Sequence, residues 1–439
     1  MAKWQVGVEE TTLLTEMTKE LLAVSTVRPG QRIQRGVNTT GRSLLTPGYN
    51  DAQRATYPAF WVRDPAWIAE SSLIPAEEVW GWLTLLTETM RGPEPWHLAS
   101  GGVVLPYSLP DHINIDGSPV YFPGTYAADE TQGPPWGKYP PHDDQYWLTY
   151  TAWIYAQLTR DWESFERLVP TPMGQMPLYE VCELTHNAFP VDPETQLCIA
   201  SADLNEHIVD WGYNDSIIKT GKLLFPSLLR LQSARKLLEL FSKSNNPERA
   251  DRYREQVAQL QCAIEQTFFR KVRPDEWWLM SATGIGCQPD VWGSAFAVYM
   301  EAIDRDKAAA LARSLLRGYR LRTTVVDGQA CHLPNGDGPW QKALSKPGTY
   351  QNGGYWGYPM GWYIYAVSLV DENAAAELFA EYLTAVRRNW SSSFKACAWE
   401  CVNPAIDHYQ NPGYLATVAL PYVTLKEKGL LEGAPAQYA

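Results

Sequence analysis

Apolar residues recur at helical spacing along most of the 439-residue chain, in two alternating styles. In one, a run is apolar on nearly every face, as expected of a helix buried all round; in the other, one apolar stripe backs a charged, solvated side. The first style is read at 64–73, 146–158, 224–238, 290–303, 360–369 and 414–425. The second is read at 10–24, 75–90, from 161 onward, and at 247–270, 304–316 and 372–388. Asp64-Pro65 has the form of an N-cap followed by proline at the first helical position, and Asp143-Asp144 reads as the start of the helix after it.

About a dozen helices in buried and half-wet pairs predict an all-α architecture, a closed ring of about six helical hairpins occupying 1–439 as a single domain. Helices joined by short turns pack antiparallel, so the buried members form an inner barrel and point one way. Their preceding loops therefore meet at one end. The longest loop, 91–142, is crowded with Pro, Gly, Trp and Tyr, and loops of that length are usually functional. Short strands are expected within it at 102–105 and 119–122.

Composition sharpens this picture in three ways. The 19 Trp and 24 Tyr exceed what a core needs, and many lie in loops, where stacking on a sugar is a natural use. The net charge of -12 argues against nucleic acid as a partner. Seven scattered cysteines, with no CxxC pair and no histidine at zinc spacing, indicate neither a disulfide framework nor a metal site. His142-Asp143-Asp144 are adjacent, which suits helix capping better than chelation. No cofactor is called for. With no apolar run at the N-terminus and no membrane-length stretch, a cytoplasmic location is expected.

Four polar-aromatic loops carry the candidate chemistry. Trp61-Val62-Arg63-Asp64 offers an Arg-Asp pair beside tryptophan, a combination able to bond vicinal hydroxyls, and Asp144 faces the same funnel. Asp210-Trp211-Gly212-Tyr213-Asn214-Asp215 holds two candidate proton donors. Asp210 sits between Val209 and Trp211, a setting that raises a carboxyl pKa, whereas Asp215 also suits an N-cap role; Glu206 is a third candidate. Gln351-Asn352-Gly353-Gly354-Tyr355-Trp356 pairs turn residues with aromatics. Glu400, with Trp399 before it and Tyr409 shortly after, is a lone carboxylate in an apolar stretch, which needs a reason. His332 and His408 lie in loops and read as structural.

On these motifs the chain resembles the six-hairpin, (α/α)6-toroid glycosidases, the superfamily of glucoamylase-like, trehalase-like and glucosidase-like enzymes. The resemblance implies that Arg63 and Asp64 hold sugar hydroxyls and that the 210–215 loop carries the general acid. It further implies that the 351–356 loop lines the sugar site and that Glu400 is the general base. The expected activity is hydrolysis, with inversion, of a small or terminal glycoside, with a carbohydrate substrate and neither nucleic acid nor membrane as a partner. A sugar phosphorylase, a catalytically silent sugar-binding protein and a sugar epimerase are the rivals. Glu400 favours hydrolysis over phosphorolysis, and the scarcity of histidine in the helix-entry loops lowers the epimerase.

Overall fold

The computed structural model describes residues 4–50, 56–127, 137–388 and 398–434. Among them run α1 (Val8–Ser25), α2 (Arg63–Ala69), α3 (Ala76–Thr89), α4 (Trp147–Thr159), α5 (Leu178–His186) and α6 (Leu224–Lys243). The second half supplies α7 (Pro247–Phe268), α8 (Val291–Tyr299), α9 (Arg305–Arg320), α10 (Met360–Ser368), α11 (Glu372–Arg387) and α12 (Ala416–Glu427). The even-numbered helices pack in sequence, and α12 returns to α2, so their contacts close a ring. The odd-numbered helices lie outside, with α1 on α12, α3 and α5 on α4, α7 on α6, α9 on α8 and α11 on α10.

The two styles of apolar patterning explain the two layers. Every residue of α2, α8 and α10 is buried, because each packs between its two ring neighbours. The outer α9 buries only a stripe through Leu311, Leu315 and Tyr319. Six helices in a ring leave axial space, and close packing requires that it be filled. Trp67 of α2 stands there, with ring centroids 4.9 Å from Trp147, 5.1 Å from Trp362, 5.7 Å from Phe296 and 6.2 Å from Trp211. Much of the tryptophan excess is therefore barrel filling rather than sugar-stacking surface.

The structure departs from the sequence expectation in three places. The fold is not purely helical: a five-stranded antiparallel sheet joins Val325–Val326, Gln329–Cys331, Tyr355–Trp356, Cys401–Asn403 and His408–Gln410. Strands of two or three residues are too short for alternation to register as a pattern. The segment from 161 is not one amphipathic helix. Asp161 caps a 310 turn at Trp162–Glu166, and a hairpin of Leu168–Thr171 with Gly174–Pro177 precedes the short α5. Pro170 and Pro177 bar a continuous helix there, and Gly174, at φ 107°, makes the turn. Lastly, Asp64 and Asp143 cap nothing with their side chains, being engaged with other loops instead.

In the 91–142 loop, Val103–Val104 pairs with Trp96–His97, and His112–Asn114 pairs with both Ala59–Trp61 and Pro119–Val120. Part of that loop, 128–136, and Cys397 lie outside the described residues. The six described cysteines are free thiols. Among the described residues no helix is long and apolar enough to cross a membrane.

Candidate active site

The segments leading into the inner helices meet at one end of the ring, and hydrogen bonds knit them together. Arg63, at the start of α2, reaches Asp143 and Asp144 before α4 at 2.9 and 2.7 Å. The Gly212 N–H, in the loop before α6, donates to Asp143 Oδ1 at 2.9 Å. Tyr213 donates to Asp64 Oδ1 at 2.5 Å, and Tyr414, just before α12, does so at 3.4 Å. Gln351, before α10, donates to Asp215. Sequence neighbours of five different helices thus share one polar floor.

Above that floor lies a cavity of about 240 Å3, walled by Tyr57, Trp61, Arg63, Asp64, Tyr126, Gly212, Tyr213, Asp215, Tyr350, Glu400, Gln410 and Tyr414, with Pro47, Pro123 and Gly124 at its margin. Larger clefts occur elsewhere, two of about 800 Å3 and one of about 300 Å3; in the two largest, Arg249 and Arg252 pair with Glu183 and Arg322 with Glu381. The small cavity differs because its carboxyls are buried and face open space. Tyr57 and Tyr350 adopt φ of 52° and 48° on its wall. Non-glycine residues rarely sit in that left-handed region, and such strain gathers at functional sites.

Glu400 accepts a hydrogen bond on each oxygen, from the Tyr57 hydroxyl at 2.8 Å and from Asn411 Nδ2 at 2.6 Å. Burial pushes its carboxyl up to about 8 against these two donors, helped by the nearby charges of Asp215 and Asp64. Asp215 follows a 310 turn at Gly212–Asn214 and does not cap α6, which begins only at Leu224. Its Oδ1 accepts from Gln351 Nε2 at 3.0 Å, and burial raises it to about 7. Burial likewise lifts Asp64 to about 6, opposed by the Tyr213 hydrogen bond.

Arg63 is enclosed by carboxylates, since its guanidinium also bonds Asp111 at 2.6 Å. Burial pushes Asp111 up, but Arg63 and His112 outweigh it and leave the carboxyl below its ordinary range. Asp144 goes the other way, raised well above that range by burial and then by the Asp143 charge. Gly212 is what admits the guanidinium to the floor: a Cβ there would lie 1.9 Å from Arg63 Cζ.

Of the residues singled out from the sequence, Trp61, Arg63, Asp64, Asp215 and Glu400 line the cavity together. Asp210 does not. Its Oδ2 accepts from Lys219 at 2.7 Å and its Oδ1 from the Trp211 N–H at 2.9 Å and from Asn214 at 3.1 Å, so its bonding is satisfied inside the protein. Burial raises it to about 6, yet without access a raised pKa confers no donor role. Glu206 bonds Lys138 and Tyr139 off the cavity wall. Asp144 lies beneath the floor, reached only through Arg63.

Trp211 stacks on Phe225 at 3.6 Å within the barrel core, and Trp356 is likewise fully buried there. Tyr355 accepts from Asn335, and Asn352 ties Trp340 to Ser345; neither reaches the cavity. Trp399 packs on Tyr409 at 5.6 Å on the sheet's other side. Successive strand residues face opposite ways, so with Tyr409 outward it is Gln410 that lines the wall. Gln351 sits under Asp215 rather than on the wall. His332 stacks on Trp292 at 4.1 Å, and His408 pairs with Asn403 in the sheet. The wall residues Tyr57, Tyr126 and Tyr350 carry no motif that separates them from the other tyrosines. Among the described residues no group of three or more His, Cys, Asp or Glu is arranged to hold a metal ion.

Neither family models nor curated proteins match the chain in sequence. Solved structures do match. A rhamnosidase from Klebsiella oxytoca with rhamnose bound superposes with TM-score 0.56 at 14% identity, over 98% of this chain and 66% of the rhamnosidase. A glycosidase variant gives TM-score 0.58 at 13% identity, over 97% of this chain and 100% of its own. A metal-independent α-mannosidase from Streptococcus pneumoniae, in a non-productive complex with α-1,6-mannobiose, gives 0.54 at 9%, over 95% and 96%. The fold is that of these glycosidases. Identities this low carry the fold alone, and the chemistry has to be argued from the cavity.

Proposed function

We propose that the chain is a glycoside hydrolase built as a single six-hairpin (α/α)6 toroid, acting on a terminal or small neutral glycoside with inversion. Asp215 protonates the departing oxygen, and Glu400 takes a proton from the water that attacks the anomeric carbon. One observation carries this reading: two buried carboxyls, Asp215 and Glu400, open onto one cavity of about 240 Å3, beside Asp64 and Arg63. Their hydrogen bonds favour the division of labour. Both Glu400 oxygens accept hydrogen bonds that favour its charged form, whereas Asp215 has one oxygen engaged and one left for a proton. Burial lifts Glu400, at about 8, above Asp215, at about 7, so the working form with Glu400 ionised and Asp215 protonated is the minor singly protonated state. The cavity volume suits one sugar ring, and Trp61, Tyr57, Tyr126, Tyr213, Tyr350 and Tyr414 give it aromatic faces.

Phosphorolysis is disfavoured on the same wall. Among the described residues its cationic group is Arg63, whose guanidinium already bonds three carboxylates, so a phosphate would enter a net negative surround. The test is a panel of nitrophenyl glycosides and disaccharides that begins with α-mannosides and rhamnosides, run with and without phosphate. Turnover is expected without phosphate, and Glu400→Gln and Asp215→Asn should each cost on the order of 10²–10⁴ in kcat on poor leaving groups. The first anomer formed, followed by NMR, should be inverted. Strict phosphate dependence, or sugar binding that both variants leave intact with no turnover in the wild type, would replace the hydrolase reading.

A further inference from the structure

We propose that Gln351 is a positioning residue for Asp215, its buried amide deciding which carboxyl oxygen holds the transferable proton. The proposal rests on Asp215 being the acid of the proposed hydrolase.

Gln351 is fully buried, and its side chain makes two bonds to one short stretch of the acid loop. Nε2 donates to Asp215 Oδ1 at 3.0 Å, and Oε1 accepts from the Ser216 N–H at 2.9 Å. The second bond settles the amide's orientation. A backbone N–H can only donate, so the amide oxygen must face Ser216 and the NH2 must face the carboxyl. Gln351 is itself held: its carbonyl accepts from Trp340 Nε1 at 3.1 Å, while Asn352 Oδ1 accepts the Trp340 N–H at 3.0 Å. The two loops are further fastened by Leu344 N–H to Ser216 O at 2.7 Å, by Ile218 N–H to Lys342 O at 3.0 Å and by the Ser216 and Ser345 hydroxyls at 2.8 Å. Gln351 is therefore a rigid two-point latch on both the side chain and the backbone of the acid loop.

The chemical consequence follows from donor and acceptor counting. With an N–H pointed at Oδ1, a proton on that oxygen would face another proton, so neutral Asp215 carries it on Oδ2. Among the described residues no side chain bonds Oδ2, and Asp215 lines the cavity. In the transfer, the Oδ2–H bond breaks and the proton passes to the glycosidic oxygen, which also takes the electron pair of the breaking bond to the anomeric carbon. Water supplies the new bond to that carbon and its proton goes to Glu400. The carboxylate left on Asp215 keeps the Gln351 N–H, which stabilises its charge as it forms.

The test uses the full chain as wild type, Gln351→Ala and Gln351→Glu, with two readouts. The first is 13C NMR titration of labelled aspartate carboxyls, with Asp215 assigned through Asp215→Asn. Losing a hydrogen bond to a charged group should raise Asp215 by about one to two pH units in Gln351→Ala. The second is turnover of methyl and dinitrophenyl glycosides of the sugar found in the panel. Gln351→Ala should lose on the order of 100-fold in kcat on the methyl glycoside and less than about 10-fold on the activated one. Gln351→Glu should keep near-normal turnover in acid, where its carboxyl is protonated and can donate, and lose it as pH rises. An unchanged Asp215 titration in Gln351→Ala, or equal losses on both leaving groups, overturns the proposal. A wild type that turns over no glycoside sinks the hydrolase reading instead, and the titration still decides the contact between Gln351 and Asp215.

Discussion

Neutralising Glu400 should stabilise this protein, and by an amount that depends on pH. Burial lifts the carboxyl from 4.5 to about 8, so the folded chain binds its proton more tightly than the unfolded chain does. The associated stability is fully present below pH 4.5, falls as pH climbs, and is lost once pH passes about 8. At about 1.36 kcal/mol per pH unit, that rise costs the folded state on the order of 5 kcal/mol in alkali, less whatever water entry relieves. Glu400→Gln removes the cost and keeps the shape. Its amide oxygen can accept from Asn411, and the Tyr57 hydroxyl can rotate to accept from the new NH2. For a chain of this length, unfolding entropy scales to about 0.9 kcal/mol/K, so each kcal/mol moves the midpoint by about 1 °C. Paired thermal melts should therefore show Glu400→Gln within about 1 °C of wild type at pH 5 and about 3–5 °C above it at pH 9. A melting difference that does not change with pH, or a variant less stable than wild type at pH 9, would refute a buried, proton-holding Glu400. Because the melts need no substrate, they test the site's electrostatics separately from its activity.

Asp210→Asn should act on stability rather than chemistry: it leaves the Lys219 ammonium buried, with Asp290 at 4.0 Å as its remaining counter-charge, which costs on the order of 3–5 kcal/mol in denaturant titrations. Loss of turnover with an unchanged unfolding midpoint would return the acid role to Asp210. Gly212→Ala should displace Arg63 and cost about 1–3 kcal/mol, with a raised KM for the terminal sugar; a wild-type midpoint and KM would show that the floor yields freely. Arg63→Met strips Asp111 of the cation that holds its carboxyl below the ordinary range, so burial lifts its folded-state pKa above the unfolded one. Its melting point should match wild type near pH 4 and fall below it as pH rises toward neutrality, and a constant offset would count against the cluster.

How much of this was legible beforehand differs from residue to residue. Trp61, Arg63, Asp64, Asp215 and Glu400 were all marked from composition and loop position, and all line the cavity. Val209 and Trp211 on either side of Asp210 imply its burial, and it is buried. What neighbours in sequence could not reveal was Lys219, folded back to neutralise it. Trp211 and Trp356 misled for a related reason. A tryptophan in a polar loop looks available to a sugar, yet here the loop drops its indole into the barrel axis.

Periodicity alone determined that the chain would alternate fully buried helices with half-wet ones, and hence that the loops before the buried ones would gather at one end, as those before five of them do. That information is local, because burial on all faces or on one is written within each run of residues. Which carboxyl of each loop meets the open space was decided only in three dimensions. Access depends on partners more than a hundred residues away, such as Tyr57 for Glu400 and Gln351 for Asp215, and on a strand register that turns Gln410 inward and Tyr409 out. No short-range pattern encodes a contact across that separation, so the sequence could name candidate carboxyls but not which of them faces the cavity.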